Sequence, residues 1–106
     1  MGTLYIRDKG GVMKVINYHN EKAPADKQVW IMRPGPFANP YRIGRDGNRL
    51  QVIEKFESYA RRTGWLKGLI ARLPADSVLV CCCKPKPCHG DVIVKLSQEL
   101  NSGVSN

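Results

Sequence analysis

The stretch Val78-Leu79-Val80-Cys81-Cys82-Cys83-Lys84-Pro85-Lys86-Pro87-Cys88-His89-Gly90-Asp91 holds all four cysteines and one of the two histidines of the chain. Val78 to Cys83 is a short apolar run of the kind a buried strand uses. The prolines after it interrupt regular structure, and Val92 to Leu100 has helical spacing. The order is strand, stiff loop, helix. Such a junction sets the first unpaired backbone N–H groups of a helix, and the positive end of its dipole, beside whatever leaves the strand end. That is the geometry of an anion site.

Upstream, the same order occurs once more. Val29 to Met32 is an apolar strand stopped by Arg33-Pro34-Gly35-Pro36. Phe37 to Asn48 is an irregular loop of alternating aromatics, arginines and glycines, the composition of a binding loop. Asn48 is placed to cap the next helix with Gln51 in the capping-box position, and Gly64 is placed to end it. Within that helix Val52, Ile53, Phe56, Tyr59 and Ala60 recur at spacings of three and four, the pattern of a face packed on a core. Trp65 to Leu73 outlines a second short helix closed by Pro74. Leu4 to Arg7 and Val12 to Asn17 have β character around a turn at Asp8 to Gly11. Trp30 and Trp65 sit in apolar patterns and are expected in the core.

Strands that are apolar throughout and alternate with helices predict an α/β domain, a mostly parallel sheet flanked by helices in a Rossmann-like sandwich. A chain of 106 residues holds one such domain, expected over residues 1–100 with a flexible tail at 101–106. In parallel sheets ligands gather at the carboxyl ends of the strands. Both informative loops leave a strand for a helix, so both belong on the same edge.

The charge is biased. Seventeen Lys and Arg against nine Asp and Glu give a net charge of +8, which favours phosphate-rich partners. The excess lies in residues 38–74, with eight basic and three acidic side chains. Arg42, Arg45, Arg49, Arg61, Arg62 and Lys67 in this segment carry a reading of DNA or RNA binding, with Arg61 and Arg62 as the candidate contacts. No apolar run approaches the roughly 18 residues of a membrane span, and no secretory signal pattern opens the chain, so a cytoplasmic location is expected. Thiols stay reduced there, which makes the four cysteines ligands, reactive groups or core residues and not a disulfide framework. Neither a Walker loop nor a dinucleotide glycine fingerprint occurs.

Two motifs resemble the signatures of the DUF4326 family, uncharacterised small proteins of bacteria and bacteriophages. They are Asn39-Pro40-Tyr41-Arg42-Ile43-Gly44-Arg45-Asp46-Gly47 and Cys81-Cys82-Cys83-Lys84-Pro85-Lys86-Pro87-Cys88-His89-Gly90-Asp91. The resemblance spans roughly residues 12–100. Ala38 stands where the family pattern has glycine, Tyr41 where phenylalanine is common and Cys82 where tryptophan is common. The resemblance implies no established activity, so function rests on the chemistry of the residues.

Three chemistries fit the cysteine-rich junction. Cys81, Cys83, Cys88 and His89 are the donor set of a possible Cys3His zinc site, although the spacing is unlike a finger or ribbon. Alternatively Cys88 is a nucleophile whose pKa is lowered by the helix N-terminus and by Lys84 and Lys86, with His89 or Asp91 moving protons. The third reading is recognition: Cys83, Cys88, His89 and Gly90 hold a phosphate or other anion, and Asn39, Arg42, Arg45 and Asp46 approach from the opposite loop. The plain alternatives are that the cysteines are small core residues, Cys82 above all, and that Asp91 is a first-turn acid favourable to its helix. The leading expectation is a protein that binds a nucleotide-type ligand, with possible hydrolase or transferase activity. If the chain is phage-encoded, sequestering a host signal nucleotide falls within that reading. The alternatives are a DNA- or RNA-binding accessory protein and a phage effector that binds a host protein.

Overall fold

Three short parallel strands carry the domain in the computed structural model, which describes residues 13–101. They are β1 (Lys14–Asn17), β2 (Gln28–Trp30) and β3 (Val78–Cys81), in the order β1-β3-β2. β3 lies in the centre with all four residues buried, as the unbroken apolar run requires. Leu79 is in register with Val15 on one side and Val29 on the other, and Cys81 is in register with Asn17. The helices are α1 (Arg49–Arg62), α2 (Gly64–Ala71) and α3 (His89–Asn101). The expected α/β class is the observed one. The strand expected at Leu4 to Arg7 and the turn after it lie outside the described residues.

Side chains alternate across β3, and the two faces bury different sets. Leu79 and Cys81 join Ile31, Phe56, Ala60, Leu66, Ile70, Ile93 and Leu96 in the main core against the helices. Val78 and Val80 form a smaller cluster with Ile16 on the other face, against Ala23 and Met32. Trp30 and Trp65, expected in the core, are 50% and 55% exposed. Trp30 is on an edge strand beside Tyr18, with ring centroids 5.7 Å apart.

Several boundaries move for local reasons. β3 ends at Cys81 and not Cys83, because β1 ends opposite it at Asn17 and Cys82 has no ladder partner. Asn48 and Gln51 form the capping box read from their spacing. Gly64, however, opens α2 instead of ending α1. The break is at Thr63, whose extended backbone (φ −104°, ψ 103°) closes one helix and leads into the next. Asn101, assigned to the tail, ends α3, and its amide donates to the Ala71 and Ser97 carbonyls. Residues 102–106 lie outside the described residues.

Candidate functional site

The two strand-to-helix loops meet. A cavity of about 410 Å³ lies between the β2–α1 loop and the β3–α3 loop at the carboxyl ends of β2 and β3, within the range of small-ligand pockets. Arg33, Arg42 and Arg49 line it, together with Asn39, Tyr41, Cys82, Cys83, Cys88 and His89. Met32, Ile43, Val52 and Ile53 give it an apolar wall, and among the described residues no Asp or Glu lines it. Arg33 donates to the Asn39 and Tyr41 carbonyls, and Arg49 spans to the Pro87 carbonyl, clamping one loop to the other. The Arg42 side chain has no hydrogen bond or ion pair among the described residues.

At the start of α3 every group has a task. The Cys88 sulfur accepts from the Gly90 N–H at 3.3 Å, and the Asp91 carboxylate accepts from the Cys88 N–H at 3.2 Å. This is the reciprocal arrangement of a capping box, with sulfur in the usual place of oxygen. It starts the helix at His89, three residues before its apolar pattern begins. Asp91 also pairs with Lys84 at 2.7 Å. His89 Nε2 sits 2.9 Å from the Ile31 carbonyl and 3.0 Å from that of Phe37. Two acceptors require a proton on Nε2, which leaves Nδ1 as the acceptor, 4.0 Å from the Cys88 sulfur. A Cβ added to Gly90 would stand 2.8 Å from Ile31 Cδ1 and 2.9 Å from Val15 Cγ1, so any larger residue would force those side chains or α3 to shift.

Both loops of the cavity fall inside a single family match. The family model described as "Domain of unknown function (DUF4326)" matches residues 15–99. The chain belongs to the DUF4326 family. It is similar to an uncharacterized 12.4 kDa protein encoded in the nrdA-td intergenic region of Enterobacteria phage T4, at 36% identity over 97 residues, covering 86% of this chain and 82% of that protein. No solved structure matches it.

In this DUF4326 domain the residues proposed for chemistry from the sequence divide into two sets. Asn39, Arg42, Cys83, Cys88 and His89 line the shared cavity; Arg45, Asp46, Gly90 and Asp91 do not. Asp46 accepts from the Arg42 N–H and from Arg45 Nε, closing a turn that positive φ at Gly44 and Gly47 permits. Asn39 is buried; its oxygen accepts from the Tyr41 N–H and its amide donates to the Val52 carbonyl. It shapes the cavity wall.

The residues expected to do chemistry have structural partners. Burial pushes the Cys88 thiol well above the ordinary thiol range, opposite to the lowering expected of a nucleophile at a helix start. Lys84, expected to activate it, is paired with Asp91. The Cys3His zinc centre does not assemble: among the described residues no three His, Cys, Asp or Glu side chains converge as a metal would need. His89 is turned to backbone carbonyls, and Cys81 and Cys88 are buried, 1% and 2% exposed. Cys82, expected to be the most buried, is the exposed cysteine. The helix-start anion site is occupied from within, since Asp91 takes the Cys88 N–H and Cys88 takes that of Gly90.

The basic surface is redrawn as well. Arg61 is held by Glu57 and Glu99 at 2.7 and 2.9 Å, so it is neutralised within the α1–α3 contact. Arg62 is exposed and among the described residues reaches the Tyr41 hydroxyl alone, at 3.4 Å. Arg33 and Arg49 join the cavity without having been marked by either motif. Their signal is positional, since Arg33 closely follows a strand of a parallel sheet and Arg49 is the first residue of the helix beyond the loop.

His89 gives the fold a pH dependence with a definite sign. Burial is the main cause of its lowered pKa, opposed by the Ile31 and Phe37 carbonyls and reinforced by Arg33. The unfolded chain therefore takes up a proton, as pH falls through the ordinary histidine value of 6.5, that the folded chain resists. Its contribution to stability is complete above that value and declines as pH drops toward the folded pKa. The melting temperature is expected to fall between about pH 7.5 and 5.5, and His89→Gln to flatten that slope. Asp46, Glu57, Asp76 and Glu99 have lowered pKa values through hydrogen bonds from Arg45, Arg61, Lys27 and Arg61 respectively. Their losses come at more acidic pH, near and below about 4. A melting point with the same slope in wild type and variant would assign the effect to other groups.

Proposed function

We propose that this DUF4326 protein binds a phosphate-bearing, nucleotide-type ligand in the cavity between its two strand-end loops. One observation carries the reading: among the described residues three arginines and no carboxylate line a cavity that also has an apolar wall. Like charges drawn together without a counter-charge favour an anion, and a recessed site with low-dielectric walls focuses their field. Guanidinium forks suit phosphate oxygens, while Ile43, Val52, Ile53 and the Tyr41 ring suit a base or sugar face. The reading is one of binding, since Cys88, His89 and Asp91 are occupied in holding the helix start. The reduced cytoplasm, of a host cell if the chain is phage-encoded, is where such ligands and free thiols coexist. No helix among the described residues is long and apolar enough to cross a membrane. With Arg61 neutralised, a nucleic-acid surface centred on Arg61 and Arg62 is the less favoured reading.

Thermal shift and calorimetry with nucleosides and their 5′-phosphates test the proposal. A saturating nucleotide at about 100 times its Kd should stabilise by roughly 2.7 kcal/mol, a rise on the order of 10 °C for a domain of this size. The parent nucleosides should give little. Equal effects of nucleoside and nucleotide, or none from either, would remove the arginine-lined cavity as a phosphate site.

A further inference from the structure

Beyond a single phosphate, we propose that the ligand of this site is dinucleotide-sized and carries two separated phosphates, the second bound outside the main cavity by Lys55 and Arg62. This rests on the nucleotide reading above and adds the size and charge pattern of the ligand. A second, more open groove of about 330 Å³ is lined by Tyr41, Glu54, Lys55, Ser58 and Arg62. Tyr41 belongs to both lining sets, so the two spaces share one aromatic residue. Residues 55, 58 and 62 follow the three- and four-residue spacing of one helix face.

The groove has a cationic group that the fold does not consume. Among the described residues Arg62 has a neutral phenol as its hydrogen-bond partner, and Lys55 donates to the Asp46 carbonyl alone. Neither forms an ion pair among the described residues, in contrast to Arg61 one position away. Glu54 is the one acid in the lining, so the groove keeps an excess of positive charge. Tyr41 is held in place: its ring meets Tyr59 edge-on at 6.2 Å, and Lys55 Nζ lies 6.0 Å from its centroid. Cations in two spaces that share one aromatic suit a molecule with a phosphate in each and a sugar or base near the ring. A mononucleotide satisfies the first cluster alone.

Calorimetry on the full chain separates the possibilities. The probes are a 5′-mononucleotide, the 5′-phosphorylated dinucleotide, and the same dinucleotide without its 5′-phosphate. The phosphorylated dinucleotide is expected to bind at least about tenfold more tightly than either of the others, the scale of one modest charge-assisted contact. Lys55→Ala with Arg62→Ala should erase that advantage and leave mononucleotide affinity unchanged. Arg62→Gln alone, which leaves the Lys55 contact to the loop intact, should remove part of it. A dinucleotide that binds no better than the mononucleotide, or equally well without its 5′-phosphate, overturns the second phosphate site while the cavity reading stands. A double variant that weakens every probe alike does the same. If no probe binds, both readings fall. A short 5′-phosphorylated strand that matches the dinucleotide identifies a strand end as the source of the two phosphates; its exclusion identifies the free dinucleotide.

Discussion

Phe56→Ala is expected to destabilise the domain by about 3–5 kcal/mol, the cost of deleting a fully buried ring and leaving a cavity. Phe56 is 0% exposed and is among the largest fully buried side chains. Its ring meets the His89 imidazole edge-on at 4.9 Å and 71°, and lies 6.2 Å from Tyr59. One truncation therefore weakens both the helix-side core and the support of the imidazole that ties α3 to the β2–α1 loop. For a domain of this length the melting temperature should drop by roughly 15–30 °C. Urea unfolding followed by circular dichroism measures the loss directly, and Phe56→Leu, which retains much of the volume, should recover most of it. A midpoint shift under about 1 kcal/mol for the alanine variant would be too small for this position and would contradict the burial of Phe56 between α1 and α3.

Arg42→Ala with Arg49→Ala is expected to cut nucleotide affinity by on the order of 100-fold or more, as two hydrogen bonds to a charged group contribute about 1.5–3 kcal/mol each. Both side chains line the main cavity. Arg45→Ala is the discriminating control, because Arg45 pairs with Asp46 and donates to the Pro40 carbonyl away from the cavity lining. It should change affinity by less than about threefold, a difference well under 1 kcal/mol. Titration calorimetry at about 50 mM salt, where phosphate contacts are strongest, gives the comparison. The unliganded double variant should melt near the wild type, since removing two like charges from one cavity relieves repulsion and offsets the loss of the Arg49 clamp. An Arg45 variant as impaired as the double variant would place the ligand against the turn and not in the cavity.

Much of this architecture is legible in the residues themselves. The apolar run from Val78 specifies a central strand, the Asn48 and Gln51 pair specifies a capped helix, and strand-loop-helix order repeated twice in a parallel sheet puts both loops on one edge. These follow from local periodicity, from capping chemistry and from chain direction, all of which act over a few residues. The direction of each loop side chain is a different matter. Arg42 and Arg45 are three residues apart in the same motif, yet a turn closed on Asp46 sends one into the cavity and binds the other outside it. His89 has the look of a free base in the sequence, but its ring is claimed by carbonyls 58 and 52 residues away. Arg49 crosses 38 residues to Pro87, and Arg61 is neutralised by Glu99 at the same separation. Loops have no period to fix which way a side chain points, so contacts between residues distant in the chain decided which charges remain open to a ligand.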